Sequence, residues 1–411
     1  MITAQKGTKD ILADEIAKWH FVENAMREVF EKANYKEIRT PIFEATELFA
    51  RGVGDSTDIV NKEMYTFEQK GRSLTLRPEN TAGVVRAYIE HGMHRISPPV
   101  KLYYKGPMFR YERPQAGRQR QFHQVGVEVF GIDAPSCDAE VISTAIAFLN
   151  KIGLNDLELE INSLGCEKCR ANFREKLKEA VKPMLENFCD DCKMRYEKNP
   201  LRMLDCKSPE CQSYLASEVV QKVINSDFIC DECKEHFDKL KGYLDALGIK
   251  YSVNRLLVRG LDYYNRTVFE IKSNSLGSQN AVCGGGRYDS LVNTLGGQPT
   301  PAVGWAMGME RLMALIPDVA ADNIDAYIVC QDLNESLKLA KYLRENGLKT
   351  EFDMQGKNFS KGFEKALKSG AKFAVILGED ELKANKVTVK NLATKEQTTI
   401  EREKVLLAIC D

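Results

Sequence analysis

The chain has 411 residues, with 58 Lys and Arg against 59 Asp and Glu, so its formal net charge is −1 at pH 7. This length is typical of two or three domains. The near-neutral charge excludes attraction of a polyanion by the whole molecule, so any nucleic acid must meet a local basic surface. No apolar run approaches the roughly 18 residues of a membrane-spanning helix, and MITAQKGTKDIL lacks the apolar run of a signal peptide. We therefore expect a cytoplasmic protein with no membrane partner.

The first three quarters of the chain favour an α+β fold. Helical spacing and apolar alternation predict, in chain order, helix 14–33, strands 38–41 and 74–76, a helix from Thr81 to about Glu90, a hairpin of 100–112 and 121–130, helix 138–151, strands 157–161, 253–258 and 268–271, and a helix entered through residues 304–311. Because these strands follow one another without regular crossover helices, we expect a mostly antiparallel sheet flanked by helices.

The last part of the chain has a different pattern, in which strands and helices alternate. The predicted elements are strand 327–330, helix 335–346, strand 350–352, helix 361–368 and strand 373–377. Such alternation is typical of a small α/β unit with parallel strands. We therefore divide the chain into a core over 1–322, interrupted by a cysteine-rich insertion over 164–242, and a C-terminal domain over 323–411, with a linker over 318–323.

Cysteine spacing indicates a metal site in the insertion. The chain has 12 cysteines, and four close pairs fall within this segment: Cys166 and Cys169, Cys189 and Cys192, Cys206 and Cys211, and Cys230 and Cys233. A reducing cytosol disfavours disulfides, whereas closely spaced thiolates can share a tetrahedral ion. We predict one or two structural Zn²⁺ ions, with the pairing open; redox-active pairs, or one filled site beside unused thiols, are the alternatives. The isolated Cys137, Cys283, Cys330 and Cys410 are predicted to be buried as small apolar residues.

A hairpin rich in arginine, FRYERPQAGRQRQFHQVGVEVFG over residues 109–131, carries the clearest functional signal. Its planar guanidinium groups suit phosphate oxygens, and its returning strand offers an amide and a carboxylate. These groups are Arg110, Arg113, Arg118, Arg120, Gln124 and Glu128. The pattern predicts a phosphorylated ligand beside a small polar one, and a solvated charged hairpin is the alternative.

Two further segments carry candidate ligand-binding groups. In LVRGLDYYNRTVFE, Arg259 stands at a bend from which it can project into a cleft, and Tyr263 and Tyr264 can close a pocket or simply pack. The glycine cluster over 283–289 is read either as a phosphate cradle or as a tight turn. Neither a P-loop nor a dinucleotide-binding glycine motif occurs, so the common parallel-sheet nucleotide folds are not indicated.

Together these segments resemble one enzyme family from end to end. Residues 109–118 with 122–128 resemble motif 2 of class II aminoacyl-tRNA synthetases in its histidyl form, and RGLDYY over 259–264 is similar to a segment peculiar to histidyl-tRNA synthetases. Residues 302–311 look like motif 3, and the first helix through Pro41 looks like motif 1. The resemblance includes the family's C-terminal anticodon-binding domain.

The resemblance implies a reaction and a set of roles. ATP with Mg²⁺ would activate L-histidine to histidyl-adenylate, and histidine would pass to the 3′ end of histidine tRNA in a homodimer formed through motif 1. The catalytic residues would be Arg110 and Arg259. Histidine would contact Glu79, Thr81, Gln124, Glu128, Tyr263 and Tyr264; ATP would contact Arg110, Glu112, Arg118, Phe122 and Arg311. Arg113 and Gln115 would meet the tRNA, and the domain over 323–411 would read the anticodon.

The chain departs from the family pattern at two places. Asn80 stands where many bacterial relatives have glycine, and because asparagine tolerates positive φ best after glycine, we expect an intact pocket. The family's insertion usually holds no metal, so zinc is inferred from spacing alone. A catalytically inactive regulatory subunit of ATP phosphoribosyltransferase with the same fold, and a zinc-dependent nucleic-acid-binding protein without catalysis, are the competing interpretations.

Overall fold

The computed structural model describes residues 1–54, 57–115, 117–273, 275, 280–319, 323–356 and 358–410. These residues form two compact units, Met1–Asp318 and Val319–Asp411. The strands of the first unit are β1 (Lys36–Glu37), β2 (Phe43–Ala45), β3 (Tyr65–Gln69), β4 (Arg72–Leu76), β5 (Val100–Phe109), β6 (Gln121–Phe130), β7 (Glu158–Ser163), β8 (Ser252–Val253), β9 (Asn265–Lys272), β10 (Ala281–Arg287) and β11 (Ala302–Gly308). Its helices are α1 (Ala13–Lys32), α2 (Thr46–Val53), α3 (Thr81–Glu90), α4 (Pro135–Lys151), α5 (Glu167–Val181), α6 (Asp190–Lys198), α7 (Pro209–Leu215), α8 (Glu218–Ile224), α9 (Asp231–Ala246), α10 (Leu291–Thr294) and α11 (Met309–Leu315).

An eight-stranded sheet in the order β1-β5-β6-β11-β10-β9-β7-β8 organises the first unit. Only the outer pairs β1–β5 and β7–β8 are parallel, and the inner pairs are antiparallel. The expectation of a mostly antiparallel sheet is therefore confirmed. One face packs against α1 and α4, where Phe30, Phe148 and Trp305 are buried and the Trp305 indole donates to the carbonyl of Val141 at 3.0 Å. Burial of such large apolar surfaces supplies the main driving force for this layer.

Four predicted segments differ from the structure. Residues 38–41 do not form a strand; β1 ends before them and β2 begins after them, because Pro41 has no N–H to donate to a ladder. Most of the predicted strand 253–258 is irregular. The glycine cluster is neither a cradle nor a turn but lies in strand β10, and residues 304–308 lie in β11 rather than in a helix entry. A Cβ atom at Gly285 would overlap Trp305 and the carbonyl of Gly304, so glycine permits these two strands to pack closely.

The cysteine-rich insertion consists of α5 to α9 and has a core of its own. Phe173, Leu177, Phe188 and Leu215 are among its buried side chains. The last helix, α9, packs against α4 of the sheet layer. There the His236 ring and the buried Asp138 carboxylate lie 2.8 Å apart, which ties the insertion to the layer beneath it.

The second unit contains a five-stranded sheet and is described separately. Its elements are β12 (Ala326–Cys330), α12 (Leu333–Glu345), β13 (Thr350–Phe352), α13 (Phe359–Lys368), β14 (Phe373–Leu377), α14 (Glu379–Ala384), β15 (Lys386–Asn391), β16 (Gln397–Glu401) and α15 (Val405–Cys410). The order is β13-β12-β14-β15-β16, with the first three strands parallel and the last two antiparallel. The predicted parallel strands are confirmed, and the hairpin of β15 and β16 was not predicted. Of the predicted linker, residues 320–322 lie outside the described residues. Within the described part of the chain, no helix has the length and apolarity needed to cross a bilayer.

Candidate functional site

A cavity of about 260 Å³ opens on the face of the sheet opposite α1 and α4. Phe122, Gln124 and Glu128 of β6 line it, because side chains two apart on a strand point to the same face, and parts of β10 and β11 complete the floor. The predicted residues that it brings together are Glu79, Thr81, Arg110, Glu112, Arg118, Phe122, Gln124, Glu128, Arg259, Tyr263, Tyr264 and Arg311. Arg113 and Gln115 are not among its lining residues and are exposed in the loop between β5 and β6.

Glu128 is a fully buried carboxyl group held by three hydroxyl groups. Thr81 Oγ1 donates to Glu128 Oε1 at 2.8 Å, the Tyr104 hydroxyl donates to the same oxygen at 3.4 Å, and the Tyr288 hydroxyl donates to Oε2. Burial raises the pKa of Glu128 to about 8, although the hydroxyl donors oppose that rise. Gly304 lies opposite Glu128 on β11, and a Cβ atom there would overlap Oε2. The space beside this carboxyl group therefore depends on glycine.

Glu79 and Gln124 add polar groups to the same cavity. The Glu79 carboxylate accepts the backbone N–H groups of Thr81 and Ala82 at 2.8 and 2.9 Å, where α3 begins. Burial raises the pKa of Glu79. Gln124 Oε1 is buried and has no hydrogen-bond partner among the described residues. Leaving a buried acceptor unpaired costs about 1–3 kcal/mol, so this oxygen is suited to a donor brought by a ligand.

Arg110 and Arg118 are held at the cavity by fixed partners. Arg110 Nε donates to the carbonyl of Pro78 at 2.8 Å, and its guanidinium lies 5.2 Å from the centroid of the Phe122 ring. Arg118 Nη1 lies 3.3 Å from Glu112 Oε2, and this buried oxygen makes no hydrogen bond among the described residues. The arrangement sets two cations, an aromatic face and a carboxylate around one opening.

Arg259 and Arg311 complete the group of four arginines. Arg259 is ion-paired with Glu270, and a Cβ atom at Gly284 would overlap its guanidinium, so the β10 glycine gives the arginine its path into the cavity. Arg311 donates to the carbonyl of Ala281 at 2.5 Å, and burial lowers its pKa. Arg110, Arg259 and Arg311 are each held by a hydrogen bond or ion pair within the protein, and guanidinium groups fixed before a ligand arrives favour binding of phosphate oxygens.

Sequence reasoning missed the groups that hold the predicted ones. Tyr104 and Tyr288 are buried beneath the cavity, and nothing local in the sequence distinguishes them from core tyrosines. Position 80 does not have a positive φ, so the tolerance of asparagine for that conformation is not needed there. Asn80 has a φ of −115°, and its side-chain oxygen accepts the Thr40 hydroxyl at 2.6 Å. Of the isolated cysteines, Cys137, Cys283 and Cys330 are buried as predicted, and Cys283 also lines the cavity. Cys410 is exposed, so its predicted burial was wrong.

The paired cysteines converge as two groups of four in the insertion. One group is Cys166, Cys169, Cys230 and Cys233, and the other is Cys189, Cys192, Cys206 and Cys211, with the sulfur atoms of each group within 4.8 Å of one another. Backbone N–H groups donate to several sulfur atoms, including that of Cys230 to Cys169 at 3.1 Å and that of Cys189 to Cys211 at 3.3 Å. Such N–H donors stabilise thiolates, and four thiolates suit a tetrahedral metal ion. Both groups therefore have the donor set of a metal site.

Comparison with known proteins identifies relatives over the whole chain. The family described as Histidyl-tRNA synthetase matches residues 7–187 and 210–312, and Anticodon binding domain matches residues 325–409. A histidine–tRNA ligase of Caldanaerobacter subterraneus subsp. tengcongensis is 51% identical over 415 residues, which cover 99% of each chain. An apo S. aureus histidyl-tRNA synthetase has a TM-score of 0.82 at 39% identity, over 100% of both chains. An ATP phosphoribosyltransferase regulatory subunit/histidyl-tRNA synthetase from Bacillus halodurans C shares the fold alone, with a TM-score of 0.64 at 23% identity over 89% of this chain and 96% of its own.

The antiparallel sheet with arginines fixed on its open face, joined in one chain to an α/β unit, is the architecture of a class II aminoacyl-tRNA synthetase. This class couples ATP cleavage to the attachment of an amino acid to tRNA. The chain belongs to the histidyl-tRNA synthetase family. It is thus an aminoacyl-tRNA synthetase, a ligase that joins histidine to tRNA.

We expect Glu128→Gln to make the unliganded protein relatively more stable as the pH rises. The pKa of Glu128 is about 8 in the folded protein against an ordinary 4.5, so the folded state holds a proton that the unfolded chain releases between these values. Ionisation of Glu128 therefore does not lower the free energy of unfolding below its ordinary pKa, and it lowers this free energy by the full amount above pH 8. Between pH 5 and pH 8, the difference in free energy of unfolding between variant and wild type should move by roughly 3 kcal/mol in favour of the variant.

Urea denaturation followed by tryptophan emission tests this expectation. Both tryptophans, Trp19 and Trp305, are buried in the first unit, so their emission reports on that unit alone. Glu68→Gln, at an exposed position of β3, serves as the matched control. Parallel pH profiles for wild type and Glu128→Gln would contradict the raised pKa.

Proposed function

We propose that the cavity binds L-histidine and ATP together, forms histidyl-adenylate with release of pyrophosphate, and then transfers histidine to the 3′ end of histidine tRNA. Ligation of histidine to tRNA is the reaction of this family. The observation that carries the assignment to this cavity is the buried Glu128 with its three hydroxyl donors, beside the unpaired oxygen of Gln124. A charged arginine group alone would serve any acyl-adenylate chemistry.

The polar groups match the functional groups of histidine. The α-ammonium group is a cation that donates hydrogen bonds, and Glu79, Thr81 and Gln124 have oxygen atoms that can accept them. The imidazole ring has one nitrogen on each side, and Glu128 and Tyr264 would bond to them, with Tyr263 as a supporting contact. The rings of Tyr263 and Tyr264 lie 4.7 Å apart and are buried, which supports a rigid wall. A buried site built for hydrogen bonds at both edges discriminates against rings that lack them.

The arginine group suits adenylate formation. The histidine carboxylate attacks the α-phosphorus of ATP, negative charge grows on the phosphate oxygens, and the bond to pyrophosphate breaks. Arg110 and Arg259 would stabilise that charge as the catalytic residues, while Arg118 and Arg311 bind the nucleotide and Phe122 lies against adenine. Cations fixed beside the charge that develops in the transition state stabilise it more than mobile cations in water do.

A Mg²⁺ ion bound with ATP fits the donor set of the cavity. Glu112 is the carboxylate beside the arginine group, with Oε2 3.3 Å from Arg118 Nη1 and Oε1 3.8 Å from Arg110 Nη1, and hard oxygen donors are the ligands that Mg²⁺ takes in nucleotide sites, so the ion would replace an arginine at this carboxylate. Glu112 would hold the ion at the phosphates, where Mg²⁺ neutralises charge on the β- and γ-phosphates.

Transfer requires the tRNA to reach the same cavity. Arg113 and Gln115 are exposed in the hairpin loop and would meet the 5′ end of histidine tRNA, while the unit that matches the anticodon-binding family would read the anticodon. These contacts fit a division into a core over 1–322, an insertion over 164–242 and a C-terminal domain over 323–411. We further propose a cytoplasmic homodimer formed through the motif 1 region, since Ile42 and Phe43 just beyond it are exposed apolar residues.

The two cysteine groups would each hold a structural Zn²⁺. Four sulfur donors leave no open coordination position, so the ions would stabilise the insertion and take no part in the reaction. The insertion is small, and such modules commonly depend on a metal for part of their folding free energy. Cys169, Cys192, Cys206, Cys211 and Cys233 are buried, which suits a structural ion, whereas Cys230 is exposed and Cys166 and Cys189 are half-buried, so the redox alternative is left to the metal measurement.

ATP–pyrophosphate exchange with a panel of amino acids tests the proposed activity. We expect exchange with L-histidine alone, because the other amino acids cannot bond to Glu128 and Tyr264 at once. Absence of exchange with every amino acid would favour the regulatory-subunit or nucleic-acid-binding interpretation. Two observations argue against the regulatory interpretation: the four arginines line the cavity, and the chain includes a unit that matches the anticodon-binding family.

A further inference from the structure

The cysteine-rich insertion makes direct contacts with the loop that carries three of the proposed site residues. Asn199 donates through Nδ2 to Oδ1 of Asp262 at 2.8 Å. Arg170 donates to the carbonyl of Tyr264 at 2.7 Å and to that of Asp262 at 3.3 Å. Asp262 lies between Arg259 and Tyr263 in this loop, which forms no strand or helix of its own. The loop is therefore positioned by side chains from outside the catalytic sheet.

A second set of contacts reaches another wall of the same cavity. The carboxylate of Asp58 accepts Arg195 Nη2 at 3.0 Å and Arg202 Nη2 at 3.2 Å. Ile59, the next residue, lines the cavity. The insertion thus holds two separate wall segments of the site.

Three of these contacting residues lie in the chain between members of one cysteine group. Arg195 lies in α6, Arg202 lies in the 3₁₀ turn over 200–205, and Asn199 joins the two elements. All three stand in the chain between Cys192 and Cys206 of one cysteine group. Asn199 and Arg202 are 9% and 8% exposed, so the surrounding residues restrict the conformations of both side chains. Closing a loop through a shared ion restricts the backbone of the residues inside it.

We propose that Asn199 is a positioning residue for histidine binding, and that the insertion acts as a metal-dependent brace for the loop over 259–264. This inference rests on the proposed function of the cavity. By holding Asp262, Asn199 keeps Tyr263 and Tyr264 in place for the imidazole ring. Without the brace the loop has to be ordered by histidine itself, and that ordering weakens the apparent affinity.

A swap of hydrogen-bonding groups tests the brace. Asn199→Asp places a carboxylate against Asp262, so we expect the dissociation constant for histidine, measured by calorimetry without ATP, to rise by about tenfold or more. Combining it with Asp262→Asn restores a donor and an acceptor in reversed order and should bring the constant back to within about threefold of wild type. The KM for ATP in histidine-dependent exchange should change by less than about threefold in either protein, since Arg118, Phe122 and Arg311, which bind the nucleotide in the proposed site, lie outside the loop over 259–264.

The matched control is Asn225→Asp, which makes the same change at an exposed position of the insertion. Unchanged histidine binding in Asn199→Asp, or failure of the double variant to recover, would overturn the brace. If Asn199→Asp does not fold, as judged by tryptophan emission, Asn199→Ala removes the donor without adding charge. Its dissociation constant for histidine should then also rise by about tenfold or more. If wild type binds no histidine and gives no exchange, the proposed function fails instead, so the two failures are distinguishable.

Discussion

Arg110→Ala is expected to reduce histidine-dependent ATP–pyrophosphate exchange by about 100- to 1000-fold and to abolish aminoacylation with it. Removing one preorganised donor aimed at developing charge costs that much in well-studied active sites. Arg110 is fixed by its bond to Pro78 and its position over Phe122, so no neighbouring side chain can take its place without moving. The loss should fall mainly on kcat, since an interaction realised in the transition state sets the rate.

Arg113→Ala provides the contrast within the same hairpin. Arg113 is exposed and does not line the cavity, so exchange should stay within about twofold of wild type. Transfer of histidine from preformed adenylate to tRNA, measured by rapid quench, should slow by about tenfold or more and become less sensitive to salt. Equal loss of exchange in the two variants would contradict the division of the hairpin into a nucleotide part and a tRNA part.

Strong periodicity made much of the fold predictable. Strands over 350–352 and 373–377 have the predicted bounds, and α3 runs from Thr81 to Glu90 as expected. The second arm of the arginine hairpin has the predicted bounds of 121–130, and the first begins at Val100 as predicted but ends at Phe109 rather than at residue 112. In these segments local pattern and tertiary environment agree, which is the condition under which periodicity is reliable.

Long-range contacts explain what the sequence did not predict. Glycines have low strand propensity, so residues 284–286 do not look like a strand, yet β10 needs them because Arg259 and the neighbouring strand occupy the space of a side chain. Tyr288 reaches Glu128 from a distant part of the chain. The pairing of the cysteine groups likewise depends on α5 and α9 meeting, which spacing along the chain does not indicate.

Cys192→Ser is expected to release one of two zinc ions and to loosen the insertion. Cys192 is fully buried, and serine is a poor ligand that leaves a three-sulfur site. Native mass spectrometry should find two Zn²⁺ in wild type and one in the variant. Because structural zinc binding contributes about 10 kcal/mol or more in small modules, protease cleavage within residues 164–242 should become markedly faster.

The two clusters can be separated by single substitutions, because each draws on its own helices. Cys169→Ser should lose the ion of the other group and keep that of Cys192, whereas Cys330→Ser, a buried cysteine of the second unit outside both clusters, should keep both ions. Loss of both ions from either single variant would indicate one shared site and contradict the pairing.

Wild type free of metal with all thiols reduced would remove the zinc sites, and oxidised pairs would support the redox alternative. Loss of the Cys192 ion should also weaken histidine binding, since that cluster encloses Asn199, while loss of a metal with unchanged histidine affinity would confine the ion to stability alone.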